Sequence, residues 1–428
     1  MVKKVVSRKT TFYMNKLMSI FILLIILLLI DYYVFQAVYF VSKDWSVFLK
    51  AFFRYGFWAI TALTTAAILW YYYGDPYKYG STLRNLVLTG VFMAYFSKLF
   101  AVLFVLMDDL QRGVRWLVQF FNKGAEGSTE GTPITRSEFL TKSAVIAAAV
   151  PFTAMAYGII SGAHDYRIRR KTIYLPNLPK SFDGISIGQI SDIHSGSFFN
   201  KVAVQGGVEM LMKEKPDVIF FTGDLVNNET EEVKDYIEIF NKLKAPLGVY
   251  SITGNHDYGD YKQWVTAEAK RKNFQDLITA HKTLGFDILL NEHRYLEQNG
   301  ERIAILGNEN WGGGRFAKYG KLDVAYSGVE DAAVKLLLSH DPSHWDAQVR
   351  PKYPAIDVMF AGHTHGFQFG VEIGGFKWSP SQYVYKQWAD LYQEGNQYLY
   401  VNRGFGYIGY PGRVGIPPEL TIIELKRA

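Results

Sequence analysis

None of the 428 residues is cysteine, which excludes disulfides, thiolate-bound metals and a cysteine nucleophile together. Nucleic-acid signatures are missing too, with no helix-turn-helix, zinc-finger or RNA-binding-sheet pattern. There is no internal repeat, and the one Gly-rich polar tract is "NKGAEGSTEGTP", residues 122–133, which reads as a connector. What is abundant is apolar. Hydrophobic residues make up 49% of the chain and aromatic residues 16%, values that point to membrane segments. The formal charge of +6 is mild, and basic residues flanking membrane spans account for it without a nucleic-acid partner.

Three runs are long enough to cross a hydrocarbon core about 30 Å thick. They begin at Leu17, Ala51 and Asn85, and a shorter fourth from Ser143 carries Pro151, which membrane helices tolerate. The apolar run at Leu17 is too long for a cleaved signal peptide. The pattern divides the chain into a basic tail (1–16), three spanning helices (17–107), a connecting loop (108–141), a fourth span (142–161) and a soluble domain (164–428).

Two charges interrupt the spans. Asp31 lies 14 residues after Leu17, and Lys98 lies 14 residues after Arg84. If the first and third helices run the same way, the two sit at similar depth, and an ion pair is expected because a lone charge in hydrocarbon is costly. Lys3, Lys4, Arg8, Lys9 and Lys16 in the tail favour a cytoplasmic start. Four spans then return the chain to the cytoplasm, giving an integral protein of a bacterial inner membrane with a cytoplasmic soluble half. The basic loop before the fourth span argues the other way. So does "TRSEFLTK", which looks like a degraded twin-arginine export signal with Ser137 in place of the second arginine.

Beyond His164 the composition becomes that of an α/β domain. "ISIGQI", "DVIFF", "GVYSIT", "VKLLLS" and "DVMFAG" are short apolar runs that suit strands covered on both faces, with helical spacing between them. Five such runs end in polar donors: Asp192 and His194, then Asp224, then Asn255, His256 and Asp257, then His340, then His363 and His365. In open α/β sheets the carboxyl ends of strands converge on one crevice. Each residue alone has an ordinary explanation as a turn cap or core histidine. Together they offer enough oxygen and nitrogen donors for two divalent ions sharing a carboxylate.

The ordered series D-x-H, G-D, G-N-H-D, a lone H and G-H-T-H closely resembles the calcineurin-like metallophosphoesterase family, over about residues 180–428. The resemblance implies a calcineurin-like four-layer α/β sandwich, two mixed β-sheets flanked by helices, here following about four transmembrane helices. It implies that Asp192, His194 and His365 hold one metal, that Asn255, His340 and His363 hold a second, and that Asp224 bridges them. His256 would stay unligated and face the substrate, with Asp257 to orient it. Manganese, iron and zinc all suit such ligands. The implied activity is hydrolysis of phosphate ester or pyrophosphate bonds by a hydroxide held between the metals. In the membrane-associated branch that this sequence resembles most, a lipid-linked substrate such as a UDP-diacylglucosamine-type lipid A precursor is one candidate.

Arg403 and Arg413, in the Gly- and Pro-rich excursion near the carboxy terminus, are candidates to grip a substrate phosphate; ion-paired arginines are the alternative. The aromatic stretch 374–388 is expected either to roof the site or to fill core. His344, four residues after His340 and separated from it by Pro342, reads as structural. Two other functional classes compete. A non-catalytic metal-binding membrane scaffold or sensor would normally have lost ligands, and a transporter would carry interrupted paired helices.

Overall fold

The computed structural model describes residues 2–74, 81–122, 136–314 and 316–428, with side chains described from Leu17 and, in the third helix, from Leu83. The chain forms two compact units, Met1–Ala156 and Tyr157–Ala428.

The first unit is helical: α1 (Val2–Val41), α2 (Val47–Tyr73), α3 (Ser81–Asn122) and the greater part of α4 (Glu138–Ile160). Four segments, Leu17–Val41, Val47–Tyr73, Leu83–Phe121 and Glu138–His164, are long and apolar enough to cross a membrane. Small and branched residues meet inside the bundle, with Val34, Ala37, Ala101, Val105 and Ala144 at its centre, which lets the backbones approach closely. Lys98 and Asp31 form a buried ion pair, and Tyr95 Oη donates to the second Asp31 oxygen at 2.9 Å. The intramembrane charges therefore neutralise one another.

The third helix runs on to Asn122, past the position where the sequence reading opened a loop. The charges from Asp108 to Arg115 end the apolar run, but none of them breaks a helix. Asp108 instead accepts from the Ser137 backbone N–H at 2.8 Å and pairs with Arg136 at 3.3 Å. Apart from Asn122, the connector 122–133 lies outside the described residues.

The second unit is built on two six-stranded mixed sheets. Its strands are β1 (Arg167–Leu175), β2 (Ser186–Ile190), β3 (Val218–Phe221), β4 (Val249–Ser251), β5 (Asp287–Ile288), β6 (Glu292–Gln298), β7 (Glu301–Gly307), β8 (Lys335–Leu338), β9 (Val358–Ala361), β10 (Val371–Ile373), β11 (Phe376–Trp378), β12 (Asp390–Glu394), β13 (Gln397–Val401) and β14 (Glu419–Arg427). One sheet has the order β1-β14-β2-β3-β4-β5 and the other β12-β13-β9-β8-β7-β6. β2, β3, β4 and β5 are mutually parallel, as are β7, β8, β9 and β13.

The alternation of strand side chains sorts these apolar runs into three cores. Val218 and Phe220 of β3 meet Leu336 and Leu338 of β8 and Val358 and Phe360 of β9 between the sheets. Ile219 and Phe221 turn the other way, towards helices Lys201–Lys213 and Ala267–Leu284. Leu337 and Met359 face Trp345 and Val349 on the far side. The result is a helix–sheet–sheet–helix sandwich. Burial on both faces explains why the strands read as continuous apolar runs, and β2, β3, β4, β8 and β9 all deliver their carboxyl ends to one edge.

Candidate metal centre

Three of the strands that reach this edge, β2, β3 and β9, end in turns that hydrophobic packing alone does not require. Asp192, His194, Asp224, His363 and His365 all have positive φ, between 49° and 73°, a region non-glycine residues seldom occupy. Each such residue costs about 1–3 kcal/mol, and strain of this kind collects at functional sites. Neighbouring glycines make room. A side chain at Gly223 (φ 96°) would collide with the Gly254 backbone, and one at Gly362 with Ser191 and Asp192.

The donors meet. His194 Nε2 stands 3.0 Å from His365 Nε2, which is 3.1 Å from Asp192 Oδ1. Asp224 Oδ2 lies 3.5 Å from His194 Nε2 and 3.1 Å from His340 Nε2. Asn255 Oδ1 lies 2.8 Å from His363 Nδ1. Asp192, His194 and His365 form one potential metal-holding group, and Asp192, Asp224 and His340 form another.

These spacings suit divalent ions. Nitrogen and oxygen ligands bound at about 2.0–2.2 Å leave adjacent ligand atoms about 3 Å apart. His194 Nδ1 faces Asn227 Oδ1 at 3.1 Å and His340 Nδ1 faces the Thr222 carbonyl at 2.7 Å. Both therefore carry their proton on Nδ1 and turn the Nε2 lone pair into the cluster. His340 Nε2 is buried without a hydrogen-bond partner, an atom that a cation would satisfy. Burial opposes ionisation of Asp192 and Asp224, but the surrounding imidazoles outweigh it and hold both below the usual carboxylate range. Conversely, burial pulls His340 down, but Asp224, Asp192 and the Thr222 carbonyl together outweigh it and push it up to about 10. The cluster draws in positive charge.

Comparison with known proteins decides the family. A profile described as calcineurin-like phosphoesterase matches residues 185–367, and one described as the probable transmembrane domain of calcineurin-like phosphoesterases matches 16–163. The uncharacterized metallophosphoesterase YkuE of Bacillus subtilis is 30% identical over 297 residues, covering 64% of this chain and 94% of its own. The chain belongs to the calcineurin-like metallophosphoesterase family. A Danio rerio transmembrane protein with a metallophosphoesterase domain is 28% identical, covering 67% of this chain and 63% of its own, so this chain spans just under two thirds of that relative. The protein is a metal-dependent phosphoesterase with candidate membrane-spanning helices.

Around the phosphoesterase centre lies an open cavity of about 330 Å³. Its lining combines His194, Asp224, Asn255, His256, His363 and His365 with Phe316, Phe367, Phe369, Tyr385, Ile408 and Tyr410. Tyr385 Oη reaches His363 Nε2 at 2.8 Å, so part of the aromatic stretch does border the site.

Three residues are placed differently from the sequence expectation. Asp257 does not touch the His256 ring. Its oxygens accept from the backbone N–H groups of Asp224, Leu225 and Gly254 at 2.8–2.9 Å, with Val226 at 3.3 Å, so it shapes the donor loops. Burial and the Asp224 charge push its carboxyl up to about 7 against the pull of those N–H donors. Arg403 is buried and saturated by Glu372 and Glu419, at 2.6 Å each. Arg413 is buried among the carbonyls of Arg403, Gly404 and Gly406, with Nη2 3.2 Å from His365 Nδ1. Neither arginine lines the cavity. His344 is structural: Ser339 Oγ and Gln348 Oε1 take its two nitrogens, and Trp311 stacks on its ring.

Sequence reasoning missed Asn227. Its side chain fixes His194, and its backbone carbonyl takes His256 Nδ1 at 2.9 Å. It follows the G-D motif by three positions in "GDLVNN", which was the only available signal.

Proposed function

We propose that the protein hydrolyses a phosphate ester or pyrophosphate bond of a lipid-linked substrate at the membrane surface, using two divalent ions. Asp192, His194 and His365 would hold one ion and Asn255, His340 and His363 the other, with Asp224 shared. The observation that carries this reading is a single cavity lined both by metal-binding donors and by aromatic and aliphatic side chains. The ions, when bound, supply the positive charge that activates water and neutralises phosphate oxygens.

The chain's own residues do the rest. His256, held through Nδ1 by the Asn227 carbonyl and packed at a tilt against the Tyr261 ring, donates a proton to the leaving oxygen. Asn255 contributes a neutral amide oxygen, which limits negative charge beside the phosphate. The apolar part of the lining receives the greasy part of the substrate; a nucleotide-linked acylated sugar of the lipid A precursor type fits that description. The basic amino-terminal tail supports a cytoplasmic catalytic unit on a bacterial inner membrane.

The test is a substrate screen with full-length protein in detergent and added manganese, including aryl phosphodiesters and lipid-linked pyrophosphates. Turnover should be highest on a lipid-linked ester. His256→Ala should lower it about 10²–10⁴-fold while metal content is retained. Full metal occupancy with no turnover on any ester class would overturn the reading in favour of a metal-binding scaffold.

A further inference from the structure

The short β10–β11 hairpin is built inside out. Its two strands pair Ile373 with Phe376, Glu372 with Lys377 and Val371 with Trp378, around a Gly374–Gly375 turn with φ of 56° and 87°. The primed turn that such glycines allow gives tight strand reversal. Cross-strand partners share a face, so one face is wholly apolar and the other carries the charges. The charged face is the one turned inward. Glu372 is clamped by Arg403 at 2.6 Å and paired with Arg169, while Lys377 Nζ donates to the Ala389 carbonyl at 2.7 Å. The apolar face is left outside, with Ile373 74% and Phe376 62% exposed. Tyr383 and Val384, just beyond, are 75% and 65% exposed.

A soluble surface gains nothing from this arrangement, and exposed apolar patches of this kind mark interaction sites. The neighbourhood identifies the occupant. Phe369, just before the hairpin, bridges to Val414, and the adjacent Arg413 N–H donates to the Gly158 carbonyl at 3.1 Å. Gly158 belongs to the last turns of the apolar segment Glu138–His164. The hairpin base is thus close to the point where this unit's chain continues from a candidate membrane span. Phe367 and Phe369, which line the cavity, join the hairpin to the site.

We infer that the β10–β11 hairpin docks the catalytic unit on a lipid bilayer, seating Ile373 and Phe376 among headgroups and upper acyl chains. Trp378 and Tyr383 at its flanks are residue types that favour this interface. Arg403 is a positioning residue for the hairpin. The inference deepens the proposed lipid-linked substrate by naming the surface that meets its carrier, but its test requires no catalysis.

Because the chain has no cysteine, Ile373→Cys and Phe376→Cys each take a single nitroxide label. The full-length variants are reconstituted in phosphatidylcholine–phosphatidylglycerol vesicles, with Val265→Cys, at a 97% exposed position, as the aqueous reference. Collision with oxygen should exceed collision with a nickel chelate at 373 and 376 by several-fold relative to 265. Labels as open to nickel as the one at 265 would overturn docking. Exclusion of both reagents would also overturn it, because a second copy or another protein segment would then cover the face. Ile373→Glu combined with Phe376→Glu should lower turnover of a vesicle-borne ester at least tenfold and leave a soluble aryl ester unchanged. An equal fall on both would contradict the assignment. If no ester turns over at all, the label accessibilities still decide it.

Discussion

Asn227 holds His194: its side-chain oxygen stands 3.1 Å from His194 Nδ1, on the opposite side of the ring from the donor cluster. Partners of this kind fix a ligand's tautomer and raise its basicity, and their loss typically costs 10–100-fold in metal affinity. Asn227→Ala should weaken metal binding by that factor. Because the backbone carbonyl that holds His256 survives the change, turnover at saturating metal should fall much less. Titration calorimetry with manganese, set beside kcat at saturating metal, separates the two effects. Unchanged affinity would show that Asn227 is incidental.

Asp257 should behave as a structural keystone. It is fully buried and accepts four backbone N–H groups from the two loops that carry Asp224 and Asn255. Unsatisfied buried donors cost about 1–3 kcal/mol each, so Asp257→Ala should lower the melting temperature of metal-free protein by several degrees. Asp257→Asn, which keeps one acceptor oxygen, should recover part of the loss. A variant as stable as the parent would contradict this role.

The buried pair in the helical unit supports a double-mutant test. Lys98→Met leaves Asp31 charged and unpaired in an apolar bundle, where breaking a buried pair costs about 3–5 kcal/mol. Adding Asp31→Leu removes the orphan charge and should restore much of the stability, read as melting in detergent. A double variant no more stable than Lys98→Met would mean that the pair is not energetically coupled.

A further prediction concerns acid. His281 is buried, with Nδ1 2.9 Å from Ser251 Oγ and Nε2 unpartnered, and burial lowers its pKa to about 3. The unfolded chain takes up this proton near pH 6.5 and the folded chain does not. Stability is therefore complete above pH 6.5 and falls as pH drops from there towards 3, by about 1.4 kcal/mol per pH unit. His281→Asn lacks the titrating group, so its melting temperature should depend less steeply on pH between 6.5 and 4.5. Parallel pH profiles would refute the assignment.

Much of this molecule was legible in its sequence, for definite reasons. Strands buried on both faces must be apolar throughout, so Val218–Phe221 and Val358–Ala361 stood out, and the polar residues ending them had no packing role to hide behind. The Asp31–Lys98 pair could be anticipated because hydrocarbon penalises a lone charge. What escaped depends on tertiary neighbours. Arg403 and Arg413 carry the same side chain whether they face a phosphate or a buried glutamate, and only the fold brings Glu372 and Glu419 to Arg403. Asp257 was drawn to His256 by adjacency, yet backbone N–H donors, which leave no mark in the sequence, claim its oxygens. Asn227 acts partly through a main-chain carbonyl that every residue possesses. The inverted hairpin needed both its strand register and its partners before its apolar face could be recognised.

The most direct measurement is metal stoichiometry. Full-length protein in detergent is stripped with chelator, reloaded with manganese, desalted and assayed by elemental mass spectrometry, with melting of the stripped form as a check on folding. The parent and His256→Ala should each retain two ions per chain, and Asp224→Ala, lacking the shared carboxylate, fewer than one. A folded Asp224→Ala variant that keeps the parent's full complement would contradict a centre organised around Asp224.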